Sequence, residues 1–379
     1  MNMPLTMRSL APAAVFAAAS VVIAPASPAP QAAVTPQAAL TRTAQRTAAD
    51  PAFDFSAPQV AASNLTVPWG LAFLPDGSAL VSERNSARIL KVVPGSQPVE
   101  VAKLTGVQPA GEGGLLGIAV SPTYAQDGYV YAYYTAASDN RIVRFKLAAS
   151  PQQEVVYSGI PKNSFHDGGR IAFGPDGMLY AGTGDAGQKP NAQNPASPSG
   201  KILRMKPDGS PAPGNPDPKT VIYTLGHRNV QGLAWSSAGL MYAAEFGQDT
   251  WDEANYIVAG GNYGWPEVEG PGGEPKFRAP IATWATKDAS PSGAAVAGDT
   301  LYVAGLGGRR LWQVPLDGKG GTKGSPTAVL QGTNGRLRTV AFGPDGFLWV
   351  TTSNRDGRGR PDASDDRILR FPQVKPAGR

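Results

Sequence analysis

The chain has 379 residues, of which 41% are hydrophobic and 17% charged, a globular composition long enough for one large domain or two ordinary ones. It has no cysteine, which excludes disulfides, cysteine-held zinc, iron–sulfur clusters and covalently attached c-type haem. The formal net charge of +5 is dispersed, with no basic run interleaved with aromatics, so nucleic acid is not an expected partner.

The first element in chain order is a targeting segment. Arg8 is followed by SLAPAAVFAAASVVIAPASPAPQAA, an apolar stretch that gives way to small residues and prolines. Residues 1–33 therefore read as an export signal, cut near Ala26 to Ala33, and predict a secreted or cell-surface, extracytoplasmic protein. A membrane anchor fits less well, because Pro12 and Pro25 interrupt a stretch already short for a span. No stable membrane span is expected after cleavage. Residues 34–56 read as a flexible linker with few bulky apolar residues, 57–372 as the folded domain and 373–379 as a tail.

The folded domain repeats one phrase. GLAFLPDGSALVSE at Gly70 returns as GIAVSP…DGYVYAYY at Gly117, RIAFGPDGMLYAGT at Arg170, GLAWSSAGLMYAAE at Gly232, GAAVAGDTLYVAG at Gly293 and TVAFGPDGFLWVTT at Thr339. The central alanines, Ala72, Ala119, Ala172, Ala234, Ala295 and Ala341, lie 46 to 62 residues apart, a spacing suited to propeller blades. Forty-six glycines and 36 prolines without a collagen period agree with many short strands and tight turns. A third strand (RILKV, RIVRFK, KILRMK, EANYIV, RLWQV, RILRF) and a weaker fourth follow each phrase. The expected fold is all-β, a six-bladed β-propeller with four antiparallel strands per blade. The sixth unit ends after its third strand at Phe371, whereas a spare strand-like segment, Gln59 to Leu65, precedes the first unit. That N-terminal strand is expected to close the ring and hide the edges.

In such a ring the loops leading into the innermost strands open onto one face. They carry Glu112, His166, Arg228, Asn229, Gln231, Arg336 and Arg338, so these side chains are expected to converge. Each has a bland reading: Glu112 in a Gly-rich turn is ordinarily solvated, Arg336 and Arg338 alone suit a surface, and His227 equally suits holding a loop carbonyl. Together, three arginines with Asn and Gln around one channel ask for an anion rich in acceptors.

The motifs HDGGRIAFGPDGMLY…TGD, GHRNVQGLAW, AEFGQDTWDEANYIVAGGNYGWP and GRLRTVAFGPDG resemble those of the soluble quinoprotein glucose/sorbosone dehydrogenases, over roughly residues 59 to 371. This resemblance implies a PQQ-dependent aldose sugar dehydrogenase that oxidises the C1 hydroxyl to a lactone by hydride transfer to pyrroloquinoline quinone (PQQ), with an electron acceptor left unknown. It implies His166 as general base, Asp185 as the carboxylate that orients it, and Arg228 as the cation near the reducible quinone oxygen. Glu112, Asn229, Gln231, Arg336 and Arg338 take cofactor-binding places. The carbonyls of Gly247 and Gln248 correspond to ligands of a Ca2+ that also binds PQQ, and Glu253, the Tyr263 carbonyl and Asp252 to a second, structural calcium.

The chain also departs from the family. Glu112 stands where many relatives have glutamine, Phe165 replaces an acidic residue found in some, and Gly307 stands where glucose-type relatives have a lysine that binds PQQ. One of the two arginines that follow, Arg309 in preference to Arg310, is expected to supply that missing charge. Two other readings stay open at this point: a non-enzymatic, calcium-stabilised propeller that binds carbohydrate or a protein partner, and a metal-dependent lactonase on a similar frame, which would want acidic ligands where this chain has arginines.

Overall fold

The computed structural model describes residues 53–374. Within them, 24 strands form six four-stranded antiparallel sheets. Blades 1 to 5 begin with the innermost strands Pro68–Phe73, Leu115–Val120, Ile171–Phe173, Val230–Trp235 and Pro291–Ala297. Blade 6 is built from Leu337–Phe342, Leu348–Thr352, Ile368–Phe371 and, as its outermost strand, Gln59–Ala62. Gln59 pairs with Arg370 and Val60 with Leu369. The ring is thus closed by the N-terminal strand, and the fold is the expected six-bladed propeller.

Each strand alternates its side chains between two faces, so every blade is apolar on both sides and must be covered by a neighbour. The result is six separate apolar clusters, each at the junction of two adjacent blades. Phe53 and Phe55, which the sequence places in the linker, pack into the junction of blades 5 and 6, with ring centroids 5.6 Å (Phe53–Tyr302) and 5.3 Å (Phe55–Phe371) apart. Packing therefore starts upstream of residue 57. The export signal and the rest of the linker lie outside the described residues.

The innermost strands approach one another closely, and two glycines make this possible. A Cβ on Gly117 would lie 2.2 Å from the Gly169 carbonyl, and one on Gly232 would lie 2.5 Å from that of Ser292. Both contacts cross from one blade to the next, where no side chain fits. This geometry brings the loops ahead of the innermost strands together at one end of the channel. Among the described residues, no helix is long and apolar enough to cross a membrane.

Candidate active site

His166 sits in the loop before the innermost strand of blade 3, at a left-handed φ of 59°. Its backbone N–H donates to Glu112 Oε2 at 3.1 Å, which fixes the residue from the blade 2 loop. The ring Nδ1 meets Asp185 Oδ1 at 2.7 Å. Asp185 is fully buried just beyond the second strand of the same blade, and it also accepts from Gly187 N at 2.8 Å and from the Trp265 indole at 2.8 Å. Burial alone would raise its pKa. The bond and charge of His166, then Gly187 and Trp265, outweigh burial and hold the carboxyl below its ordinary range. An ionised Asp185 can only accept, so Nδ1 carries the proton, and in the neutral ring Nε2 presents a lone pair. Phe165 lies edge-on to the imidazole, ring centroids 4.7 Å apart.

Beside this pair is a cavity at the same end of the channel, lined by Glu112, Gln231, Arg336 and Arg338 together with Arg84, Asp356 and Arg358. Arg336 Nε donates to Asp356 Oδ2 at 2.9 Å, and Arg338 Nη2 lies 3.5 Å from the same oxygen. Burial, partly offset by Asp356, draws the Arg338 pKa down to about 9, so it remains a cation at neutral pH. Arg358 Nη1 donates to Glu112 Oε1 at 2.9 Å. At formal charge, four arginines against two carboxyl side chains, Glu112 and Asp356, leave the lining with an excess of two positive charges.

Arg228 lies against this cavity through its neighbours. It donates from Nε and Nη2 to Gln248 Oε1, at 3.2 and 2.9 Å, and from Nη1 to the carbonyl of Phe246, itself a lining residue. Its guanidinium is 5.4 Å from the Trp265 ring centroid. Asn229 is spent on the base loop, its Oδ1 accepting from Gly168 N at 3.0 Å. Gln231 Oε1 accepts from Ser292 Oγ at 2.9 Å and from Arg338 Nη1 at 3.4 Å.

Arg309 does not join the cavity. It is exposed, at a φ of 49°, in the turn of blade 5, and the lining residue there is Leu306. A Cβ at Gly307, itself exposed, would meet the Ser290 hydroxyl at 2.4 Å, a contact that rotation of that side chain relieves. The cations that the sequence seeks at Arg309 come instead from Arg84 and Arg358. Those two, Asp356 and Trp265 escaped the sequence reading. Arg84 and Asp356 follow the second strands of blades 1 and 6 as Asp185 follows that of blade 3, and antiparallel pairing returns those ends to the face where the first strands begin.

The cavity's chemistry fits a polyanionic cofactor such as PQQ. It is cationic, its arginines come from blades 1 and 6, and planar guanidinium forks match carboxylates. The turn at Gly247 fits a hard cation. Glu269 Oε1 accepts four successive backbone N–H groups, Gln248 to Trp251, at 2.7 to 3.0 Å. Among the described residues, no hydrogen bond ends on the Gly247 or Gln248 carbonyl, which leaves two oxygen donors of the type calcium takes. Of the second expected calcium set, the two carboxylates lie on opposite faces of their strand. Asp252 accepts from Gly247 N and Ser290 N, whereas Glu253 points to the other face of the strand and accepts from Gly270 N and Asn255 Nδ2. Among the described residues, no three His, Cys, Asp or Glu side chains cluster as a metal site.

These features meet a sequence match on the same scale. The Glucose / Sorbosone dehydrogenase family matches residues 65–369, nearly the whole propeller. The chain belongs to this family of dehydrogenases. A PQQ-bound aldose sugar dehydrogenase from Streptomyces coelicolor is 52% identical, with a TM-score of 0.80 over 83% of this chain and 98% of that one. An aldose sugar dehydrogenase of Escherichia coli is 27% identical over 79% of this chain and 90% of its own. Quinoprotein glucose dehydrogenase B of Acinetobacter calcoaceticus is 33% identical over 56% of this chain, and the match spans about half of that protein, 52%.

Proposed function

We propose that this chain is an exported, PQQ- and calcium-dependent aldose dehydrogenase that oxidises the sugar C1 hydroxyl to a lactone. The observation that carries this reading is the His166–Asp185 pair at 2.7 Å beside a cavity of four arginines. PQQ would supply the acceptor for the hydride leaving C1, and a calcium ion on the Gly247 and Gln248 carbonyls would supply Lewis acidity.

The chain's own residues do the rest. His166 Nε2 removes the proton of the anomeric hydroxyl, and Asp185 stabilises the imidazolium that results. Arg336, Arg338, Arg84 and Arg358 would hold the cofactor's carboxylates, and Arg228 would set a fixed cation where negative charge develops. Glu112 is answered by Arg358 and also holds the base loop, so its charge is not left facing an anion. The reoxidising electron acceptor is a separate partner, and the site of action is extracytoplasmic. The test is reconstitution with PQQ and CaCl2, followed by dye reduction on a panel of aldoses. Dye reduction that needs PQQ, calcium and an aldose is expected. Saturable PQQ binding with no dye reduction on any aldose would leave the propeller as a binding protein and overturn this reading.

A further inference from the structure

The channel has a second cavity at its opposite end, of about 350 Å³, beyond the plane of Arg170 and Thr339. Its wall is made by the later residues of the innermost strands, including Leu71, Ala172, Leu233 and Val340, with Trp235 and Phe342 at the strand ends. Arg170 is the one charged side chain that lines it.

Arg170 is 8% exposed. Its Nε donates to the Gln231 carbonyl at 2.7 Å and its Nη2 to Thr339 Oγ1 at 3.1 Å, while the guanidinium stacks on Trp69 at 4.3 Å. Among the described residues, Nη1 has no protein acceptor and no carboxylate forms an ion pair with this arginine. The charged group that influences it is Arg338, of like sign. Burial, then Arg338, draws its pKa down to about 9, which still leaves it protonated at neutral pH. The contrast with Arg336 and Arg338, which share Asp356, is direct. A buried cation with only neutral partners is costly unless an anion answers it, and a cavity of this size, with apolar side chains beside the arginine, has room for an organic body as well as an ion.

We propose that this lower cavity binds an amphipathic monoanion, a carboxylate whose head pairs with Arg170 and whose alkyl or aromatic body lies along the apolar wall. The proposal is independent of whether the upper cavity takes PQQ.

The experiment is calorimetric titration of the full, cofactor-free chain with sodium octanoate and with sodium benzoate, which separate an alkyl from an aromatic body. Acetate supplies the charge without the body, and 1-octanol the body without the charge. Saturable 1:1 binding of octanoate or benzoate, at least tenfold tighter than acetate and octanol, is expected. Arg170→Met should lose at least tenfold in affinity. Because Arg170 also ties several blades together, Ala172→Phe provides a second test: it narrows the cavity from the wall, leaves Arg170 in place and should abolish binding while circular dichroism stays that of wild type. Absence of saturable binding by both carboxylates overturns the proposal. So does a folded Ala172→Phe variant that binds like wild type, which would place the anion among the upper arginines.

Discussion

The two histidines of this chain are each held by a carboxylate, at nearly the same distance and in neighbouring blades, yet only one is equipped to act on a ligand. His166 meets Asp185 at 2.7 Å and His227 meets Glu245 at 2.8 Å. The difference lies at the other ring nitrogen. His227 Nε2 is bonded to Thr224 Oγ1 at 2.8 Å, its ring stacks on Tyr263 with centroids 4.6 Å apart, and its side chain has no exposure. His166 keeps 14% exposure and, among the described residues, has no protein partner at Nε2. A histidine–carboxylate pair is therefore not itself a sign of chemistry. One arrangement joins blade 3 to blade 4, while the other points a lone pair beside a cationic cavity.

The largest expected effect comes from altering the carboxylate that sets the tautomer. Asp185→Asn keeps the shape but can donate toward Nδ1, so turnover should fall by about 10²–10⁴-fold with PQQ affinity within a few-fold of wild type. Steady-state kinetics and fluorescence titration of PQQ would show this. Equal loss of both would mean that Asp185 builds the cofactor cavity rather than the base.

Asp167, next to His166, sharpens the comparison because it is a buried carboxylate without a cationic partner. Its Oδ1 accepts from Asn140 and from Asn163 N, but Oδ2 has no protein partner. Burial raises its pKa to about 6. The folded chain thus holds this proton more firmly than the unfolded chain does. Its contribution is complete below pH about 4 and is lost as pH rises through about 6, a difference on the order of 3 kcal/mol for a shift of this size. Asp167→Asn should flatten this part of the stability–pH curve in denaturant titrations between pH 4 and 7, and should stabilise the protein at pH 7. An unchanged slope would mean that another group carries it.

His227→Gln should cost about 2–3 kcal/mol of stability, the scale of losing a hydrogen bond to a charged group in the interior, and change turnover of the folded enzyme only a few-fold. Thermal unfolding and kinetics on the same samples separate the two. A loss of turnover comparable to that of Asp185→Asn would erase the distinction drawn between the histidines. The smallest effect is expected at Trp265. Its indole gives Asp185 one of three hydrogen bonds, so Trp265→Phe should lower kcat by about tenfold, near 1.4 kcal/mol. KM should stay close to wild type, and Trp265→His, which can retain a ring N–H donor, should recover part of the loss.

The propeller was legible because its signal is redundant. Six copies of one phrase at Ala72, Ala119, Ala172, Ala234, Ala295 and Ala341 fix the blade count, and the missing last strand of blade 6 points to the N-terminal segment. The site was legible where it lies in the loops ahead of the first strands, as for Glu112, His166, Gln231, Arg336 and Arg338. It was not legible at Arg84 and Asp356, which lie after second strands whose loops share no repeated phrase. Arg309 misled for a related reason. Sequence nearness to Gly307 says nothing of direction, and a positive φ at Arg309 accompanies a side chain that stays out of the cavity. Asp252 and Glu253 show the limit most simply, since adjacent strand residues face opposite ways and an acidic pair in sequence need not be one in space.

The measurement that bears most directly on the central claim is single-turnover reduction of the cofactor by an aldose, in wild type and His166→Gln, each loaded with PQQ and calcium to the same occupancy. If His166 Nε2 removes the hydroxyl proton, the variant should bind PQQ like wild type and be reduced about 10²–10⁴-fold more slowly. Reduction at the wild-type rate by a fully loaded His166→Gln protein would contradict the account, because the base would then lie elsewhere in the cavity.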